Sequence, residues 1–126
     1  MRPRTLAEDA QLTASGDVFD RCLANFLDEF NAAPNVAALS PTPELLAPRL
    51  GALGRVRDAY LAATAEQLAC ANGFPIPAWV GTDDRKLHRP WFASPLAALR
   101  AVLLLESPAA FRSRNLFISA NALARA

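Results

Sequence analysis

The positions of the prolines most constrain how this chain of 126 residues can fold. The ten prolines exceed the share of about 5% that is usual in proteins. Proline lacks an amide hydrogen and clashes with the preceding helical turn, so it starts or ends helices and rarely lies inside them. Here the prolines fall at the starts of helical patterns and at the joints between them. The sequence therefore predicts several sharply bounded helices rather than a uniform bundle.

The clearest helical pattern runs from Asp17 to Phe30. Its apolar residues recur at intervals of three and four, which is the spacing of one helix face, and three of them are phenylalanines. These residues are predicted to form core. A second helix is predicted from about Leu53 to Asn72, where alanine, leucine, arginine, glutamate and glutamine are good helix formers. Gly73 then supplies a left-handed stop.

Two serine–proline pairs predict the starts of two further helices. Ser94 with Pro95 is predicted to open a helix that reaches about Leu105, and Ser107 with Pro108 a shorter one. In each pair the serine oxygen is expected to accept a hydrogen bond from a free amide at the helix start. Proline at the first helical position costs no hydrogen bond, because the amide of a residue there has no partner within the helix. Ser94 and Ser107 are therefore interpreted as structural caps.

The side chains needed for catalysis or metal binding are scarce. A nucleophilic serine needs a neighbouring general base, and the chain has one histidine, His88, and one lysine, Lys86. The two cysteines, Cys22 and Cys70, cannot form a zinc site by themselves. We also find no phosphate-binding glycine loop. The sequence thus predicts a protein that is not an enzyme and that has neither a cofactor nor a metal site.

Residues 74–93 break the helical pattern. This stretch contains three prolines and both tryptophans, and residues before proline favour extended conformations. We expect a chain segment that crosses the helices, with Phe74, Ile76 and Trp79 buried and residues 83–89 exposed. The predicted fold is an all-α single compact domain, residues 1–126, with about five helices and this extended Pro/Trp-rich crossover. Residues 1–16 are a candidate flexible N-terminal segment.

The net charge of +1 is unevenly distributed. Residues 1–72 carry six basic and nine acidic side chains, whereas residues 73–126 carry seven basic and three acidic ones. Such a basic half can bind an anionic partner, and arginine and tryptophan are frequent at protein interfaces. The first hypothesis is a protein-interaction module whose partner-binding residues are Trp91, Arg100, Arg112 and Arg114. A homodimer is compatible with it, and the alternative is a nucleic-acid-binding or transcription-regulatory protein.

The N-terminus carries charges at Arg2, Arg4, Glu8 and Asp9 and has no apolar segment typical of a signal peptide. Unbroken apolar runs such as residues 101–105 are far shorter than a membrane span. We therefore expect a cytoplasmic protein without a membrane partner.

Several segments resemble a group of uncharacterised bacterial helical proteins. They are "PAWV" (77–80), "RPWF" (89–92) and "LRAVLLLESPAAFRSRNLFISANALARA" (99–126), together with "NFLDEFNAA" and "DAYLAATAEQLA" nearer the N-terminus. The chain departs from the group's pattern at Arg89, where an acid is common, and at Ser113, which replaces an arginine. Members of the group are similar to antitoxin-like partners of nucleotidyltransferase-type toxins. The resemblance implies a non-enzymatic partner protein of that kind.

Overall fold

Five α-helices and one pair of very short strands make up the protein in a computed structural model that describes residues 2–94 and 96–124. The helices are α1 (Leu6–Ala14), α2 (Phe19–Ala32), α3 (Ala47–Asn72), α4 (Ala97–Glu106) and α5 (Ala109–Arg112). The strands are β1 (Trp91–Phe92) and β2 (Leu116–Phe117), which pair in parallel. Short 3-10 helices occupy Val36–Ala38, Ala78–Gly81 and Asp83–Arg85. The prediction of a single, compact, mostly helical domain is confirmed.

The N-terminal segment 1–16, predicted as a candidate flexible stretch, instead contains α1. Thr5 caps this helix, because its hydroxyl oxygen accepts a hydrogen bond of 3.0 Å from the amide of Glu8. Leu6 and Ala10 are fully buried, and the helix packs against α2. The Thr5 cap and these two buried apolar positions hold the segment against α2.

A buried carboxylate lies on α1. The Asp9 side chain is fully buried, and its Oδ1 accepts a hydrogen bond of 3.5 Å from the Thr13 hydroxyl. Its Oδ2 has no hydrogen-bond partner. Cys22 of α2 is also buried. Burial raises the pKa of its thiol, and the negative charge of Asp9 adds a smaller increase. Burial raises the pKa of Asp9 from 3.8 to about 7, although the Thr13 hydrogen bond opposes the shift.

Asp9 should therefore make the protein less stable as the pH rises from about 4 to 7. In that window the folded protein keeps a proton that the unfolded chain has lost, so its stability falls by up to about 1.4 kcal/mol per pH unit. Asp9→Asn removes this proton linkage. Urea unfolding across the pH range should show the variant gaining stability relative to the wild type as the pH rises, with a plateau above pH ~7.

The exposed acid Asp17 supplies the control for this prediction. Asp17→Asn should leave the wild-type pH profile unchanged in shape between pH ~4 and ~7, because it removes no buried proton-binding group. If the Asp9→Asn profile also ran parallel to that of the wild type, the buried carboxyl would not be protonated at neutral pH.

The aromatic stripe of α2 forms much of the main core, as predicted. Phe19, Phe26 and Phe30 are all buried, and the Phe26 and Phe30 rings stack with centroids 5.9 Å apart. Tyr60 of α3 meets Phe19 edge-on at 5.8 Å. The three-and-four spacing places these rings on the face that contacts α1 and α3, so burial of that face holds the three helices together.

The long helix α3 begins with a sharp kink. Gly51 has φ +63, a left-handed conformation that suits glycine, and the preceding turn folds back on the helix. Gly54 meets this turn so closely that a Cβ atom there would overlap the backbone of Leu46. From Leu53 onward the helix follows the prediction and ends at Asn72, where Gly73 has φ +68.

Asp58 fixes the kinked turn from within the same helix. It is fully buried, and its two carboxylate oxygens accept hydrogen bonds from the amides of Leu46 at 2.7 Å and Ala47 at 3.0 Å. These amides begin the helix and have no intrahelical partner. Burial raises the pKa of Asp58, while the two amide hydrogen bonds and Arg85 act against that shift.

Arg85 brings the crossover onto this buried carboxylate. Its side chain is 3% exposed, its Nη1 lies 3.8 Å from Asp58 Oδ1, and its Nη2 donates to the carbonyl oxygen of Pro43. The guanidinium also lies over the Trp79 ring, 5.0 Å from the centroid. Burial lowers the pKa of Arg85, and the charge of Asp58 opposes that change. One cation thus links the crossover to the segment before α3 and to α3 itself.

The crossover, residues 74–93, differs from the prediction in which residues it buries. Trp79 is buried as expected, and its indole Nε1 donates to the carbonyl of Leu39 at 3.0 Å. Phe74 is half-buried, Ile76 is 50% exposed, and Arg85 lies inside the stretch that was predicted to be exposed. Two 3-10 helices, Ala78–Gly81 and Asp83–Arg85, carry Trp79 and Arg85, and both side chains face inward.

Candidate functional site

Trp91 lies where the crossover meets the C-terminal segment. Its amide donates to the Asn115 carbonyl at 2.8 Å, and β1 pairs with β2 from this point. Asn115 has φ +63, a left-handed turn conformation that asparagine tolerates, and its Nδ2 donates to Leu87 O at 2.7 Å. The Trp91 ring is half-buried against a second apolar cluster that includes Ala59 and Phe111. The tryptophan is thus held firmly while part of it stays accessible.

The exposed part of Trp91 lines a groove between the start of α3 and the crossover. We call this concavity, with a volume of about 370 Å³, the Trp91 groove. Its floor is mostly apolar, and its lining consists of Ala52, Arg55, Val56, Leu87, His88, Arg89, Pro90 and Trp91. Concave apolar surfaces with a few convergent polar groups are the usual form of binding sites.

Positive charge surrounds the Trp91 groove. Arg55 Nη2 lies 3.1 Å from His88 Nε2 and 3.3 Å from the Lys86 carbonyl, which anchors the α3 side of the groove to the crossover. Arg55 Nε is buried without a hydrogen-bond partner. Arg89 is exposed on the other wall. The described residues that line the groove include two arginines and no carboxylate, so its potential favours an acidic ligand.

A second concavity, lined by apolar residues and by Asp20 and Arg57, adjoins the Trp91 groove at Trp91. It has a volume of about 280 Å³ and shares Trp91 and Val56 with the Trp91 groove. Leu53, which is 50% exposed, and Phe19 contribute apolar surface there. A bound chain could therefore contact the tryptophan in both concavities, which suits an extended segment better than a small molecule.

The two exposed arginines predicted to bind a partner lie outside this groove. Arg100 is exposed on α4, with its guanidinium 5.2 Å from the centroid of the Phe92 ring. Arg112 is exposed at the end of α5. Trp91 and Phe92 are adjacent on β1, so their side chains point to opposite faces of the strand. Trp91 and Arg100 are therefore near each other in the fold but do not form one surface.

Arg114, also predicted to bind a partner, is buried instead. Its side chain is 4% exposed. Nη1 donates to the Ala110 carbonyl at 2.6 Å, and Nη2 donates to the Val80 carbonyl at 2.9 Å and to Glu66 Oε1 at 3.0 Å. It joins α5, the crossover and α3. The prediction was wrong because these carbonyls converge only in the folded chain, where a fork of donors satisfies several of them at once.

The two serines predicted as caps form other hydrogen bonds. Ser107 is buried, donates to the Leu116 carbonyl at 3.0 Å and accepts from the Ile118 amide at 3.3 Å. It therefore ties the start of α5 to β2 and does not cap the helix. Ser94 accepts from the Leu96 amide at 3.2 Å, one residue before α4 begins at Ala97. It thus stabilises the chain just before α4. Pro95, the other member of the predicted serine–proline pair, lies outside the described residues.

The burial of two arginines reduces the basic surface that the sequence predicts. Arg85 and Arg114 are two of the seven cationic side chains of residues 73–126, and both are inside the protein. Fewer cations are then exposed for phosphate contacts, which dominate nucleic-acid affinity. Among the cations that remain exposed, Arg89 lines the Trp91 groove. Positive charge and apolar surface coincide there.

The buried pair of Asp58 and Arg85 was missed by the sequence analysis. One signal for it was present, because Asp58 lies on the same face of α3 as Leu61, Ala62 and Ala65, all of which are buried. A carboxylate on an apolar stripe indicates a buried partner. No comparable signal marks Arg85, which lies in an irregular segment among other charged residues.

Within residues 2–94 and 96–124, we find no cluster of three or more histidine, cysteine or acidic side chains arranged to hold a metal ion. None of the helices in this part of the chain is both long enough and apolar enough to cross a membrane. The chain matches no protein-family model, no curated protein and no solved structure. The family resemblance therefore stays a prediction, and the conclusions about function rest on the geometry of the Trp91 groove.

Proposed function

We propose that this chain is a non-enzymatic protein-interaction module that binds an apolar, acidic segment of another protein in the Trp91 groove. The observation that carries the proposal is a half-buried tryptophan in an apolar concavity whose charged lining residues are arginines. Tryptophan and arginine supply much of the binding energy at protein interfaces. A cytoplasmic, antitoxin-like role beside a nucleotidyltransferase-type protein is part of the proposal and is supported by the sequence resemblance alone.

The chemistry of the groove supports an acidic segment as its occupant. A carboxylate on the partner would meet Arg55 and Arg89, while an adjacent leucine or aromatic side chain would cover Trp91 and Val56. Charge complementarity mainly sets specificity and association rate, and burial of the apolar side chain sets much of the affinity. A basic segment would be repelled by the same arginines.

Selection from a display library of short random peptides tests this proposal. The recovered peptides should combine leucine or aromatic residues with aspartate or glutamate. Arg89→Glu should weaken the binding of a selected peptide by at least about tenfold, because it replaces attraction by repulsion at an exposed position. Isothermal titration calorimetry measures the affinity. The matched control is Arg21→Glu, an equal charge reversal at an exposed position of α2, which should bind normally.

The site of binding is checked by NMR. The chain has two tryptophans, and the indole N–H signal of Trp91 should shift on peptide addition while that of the buried Trp79 stays in place. Enrichment of peptides without acids, or equal binding by the Arg89→Glu and wild-type proteins, would argue against the proposed site. Binding to duplex DNA that weakens steeply with added salt would instead favour the nucleic-acid alternative.

A further inference from the structure

The helix α4 is apolar but packs very little against the rest of the protein. Leu103 is its one buried side chain among those described, and its neighbours along the helix are exposed. Large apolar side chains are exposed on and just before this helix: Leu96, Leu99, Val102, Leu104 and Leu105, the last of them 83% exposed. Contiguous apolar surface of this kind usually marks an interaction site.

The outer face of α4 has the residue spacing of a helix that packs on another helix. At about 100° per residue, the stripe of Ala98, Ala101, Val102 and Leu105 is centred about 150° around the helix from Leu103. These positions follow the three-and-four spacing of a packing stripe. We call them the α4 seam. All four are exposed, and none is charged.

We propose that the α4 seam binds the α4 seam of a second copy of this chain, with the two helices antiparallel. A two-fold axis between Ala101 and Val102 would place Leu105 of one copy against Ala98 of the other, and Val102 against Ala101. Each large side chain then meets a small one, so the seam is complementary to itself, as a two-fold interface requires. A parallel pair in register would instead oppose alanine to alanine and leave a gap.

Charge does not oppose this occupant. Arg100 projects about 150° away from the seam, and its guanidinium is held over the Phe92 ring. Two copies can therefore approach through the seam without bringing their arginines together. No residue of the α4 seam lines the Trp91 groove, so variants in the seam test pairing without changing the proposed peptide site.

The size of the seam predicts a weak dimer. A helix of ten residues is only about 15 Å long, and four side chains on each copy bury less than the area of about 1,200–2,000 Å² that is typical of stable interfaces. We expect a dissociation constant in the micromolar range, which sedimentation equilibrium can measure at protein concentrations from about 1 to 300 µM.

Substitutions in the seam test the pairing and its direction. Leu105→Glu should weaken dimerisation at least about tenfold, and it should leave the fold intact because this side chain is exposed. Ala98→Leu should also weaken it, because the antiparallel arrangement puts this position against Leu105. Combining Ala98→Leu with Leu105→Ala should restore dimerisation, since a large side chain again meets a small one.

The control for these variants is Ile76→Glu, which removes an apolar side chain that is 50% exposed elsewhere on the surface. It should dimerise as the wild type does. Circular dichroism checks that each variant is folded. The proposal is overturned if the wild type stays monomeric up to about 300 µM, or if Leu105→Glu dimerises normally. A stronger dimer from Ala98→Leu alone would overturn the antiparallel arrangement, because that change fills the gap of a parallel pair.

Discussion

Replacing Asp58 with alanine should lower the free energy of unfolding by about 3–5 kcal/mol, which is the usual loss when one partner of a buried ion pair is removed. Three groups lose their partner at once: the amides of Leu46 and Ala47, and the guanidinium of Arg85. Small domains have a total stability of about 5–15 kcal/mol, so a large fraction of the protein should unfold under mild denaturing conditions. Urea denaturation followed by circular dichroism measures the loss.

A double variant separates the lost charge pair from the lost helix cap. In Asp58→Ala combined with Arg85→Met, no unpaired buried charge is left, so the double variant should be more stable than Asp58→Ala alone. It should still be less stable than the wild type, because the two amides stay unpaired. Asp83→Ala, at an exposed position near Arg85, should change stability by no more than about 0.5 kcal/mol. An equal loss from Asp83→Ala and Asp58→Ala would contradict the buried cap.

Local sequence signals predicted the parts of the fold that depend on local physics. The aromatic stripe of α2 and the end of α3 at Gly73 follow from helix periodicity and from glycine's left-handed conformation. The number of five helices was also predicted, although one of them is α1, which lies in a segment expected to be flexible. Thr5 with Glu8 three residues later was the signal that identifies this helix.

The positions of the buried charges could not be predicted from local patterns. Arg112 and Arg114 are two residues apart in a short basic stretch, yet one is exposed and the other buried. What distinguishes them is whether unpaired carbonyls from distant segments converge on the side chain, which is a property of the tertiary fold. The same is true of Ser107, whose partners lie nine and eleven residues further along the chain.

Only part of the candidate site was predicted from the sequence. Trp91 was identified from its residue type and setting, whereas the apolar wall of Leu53 and Val56 appears only when α3 meets the crossover. Arg55 was not singled out because it lies in a regular helix far from Trp91 in sequence. Its contact with His88 and the Lys86 carbonyl brings the two segments together. The groove therefore depends on the fold that the buried charges stabilise.

Arg114→Met should destabilise the protein by about 3 kcal/mol or more, because several buried acceptors lose their donor. Methionine fills much of the same volume, so the loss reflects hydrogen bonding and charge rather than packing. The carbonyls of Val80 and Ala110 become unpaired, and Glu66 loses its cation. Since the Val80 carbonyl belongs to the crossover, hydrogen exchange should speed up there as well as in α5.

Two further variants separate the contributions to this loss of stability. Glu66→Gln should cost no more than about 1 kcal/mol, because that side chain is 28% exposed and water compensates for the lost charge. Arg112→Met removes an identical charge from an exposed position two residues away and should change stability by no more than about 0.5 kcal/mol. Similar losses from Arg112→Met and Arg114→Met would mean that neither guanidinium is buried. A loss confined to Arg114 assigns this arginine to the interior and Arg112 to the surface.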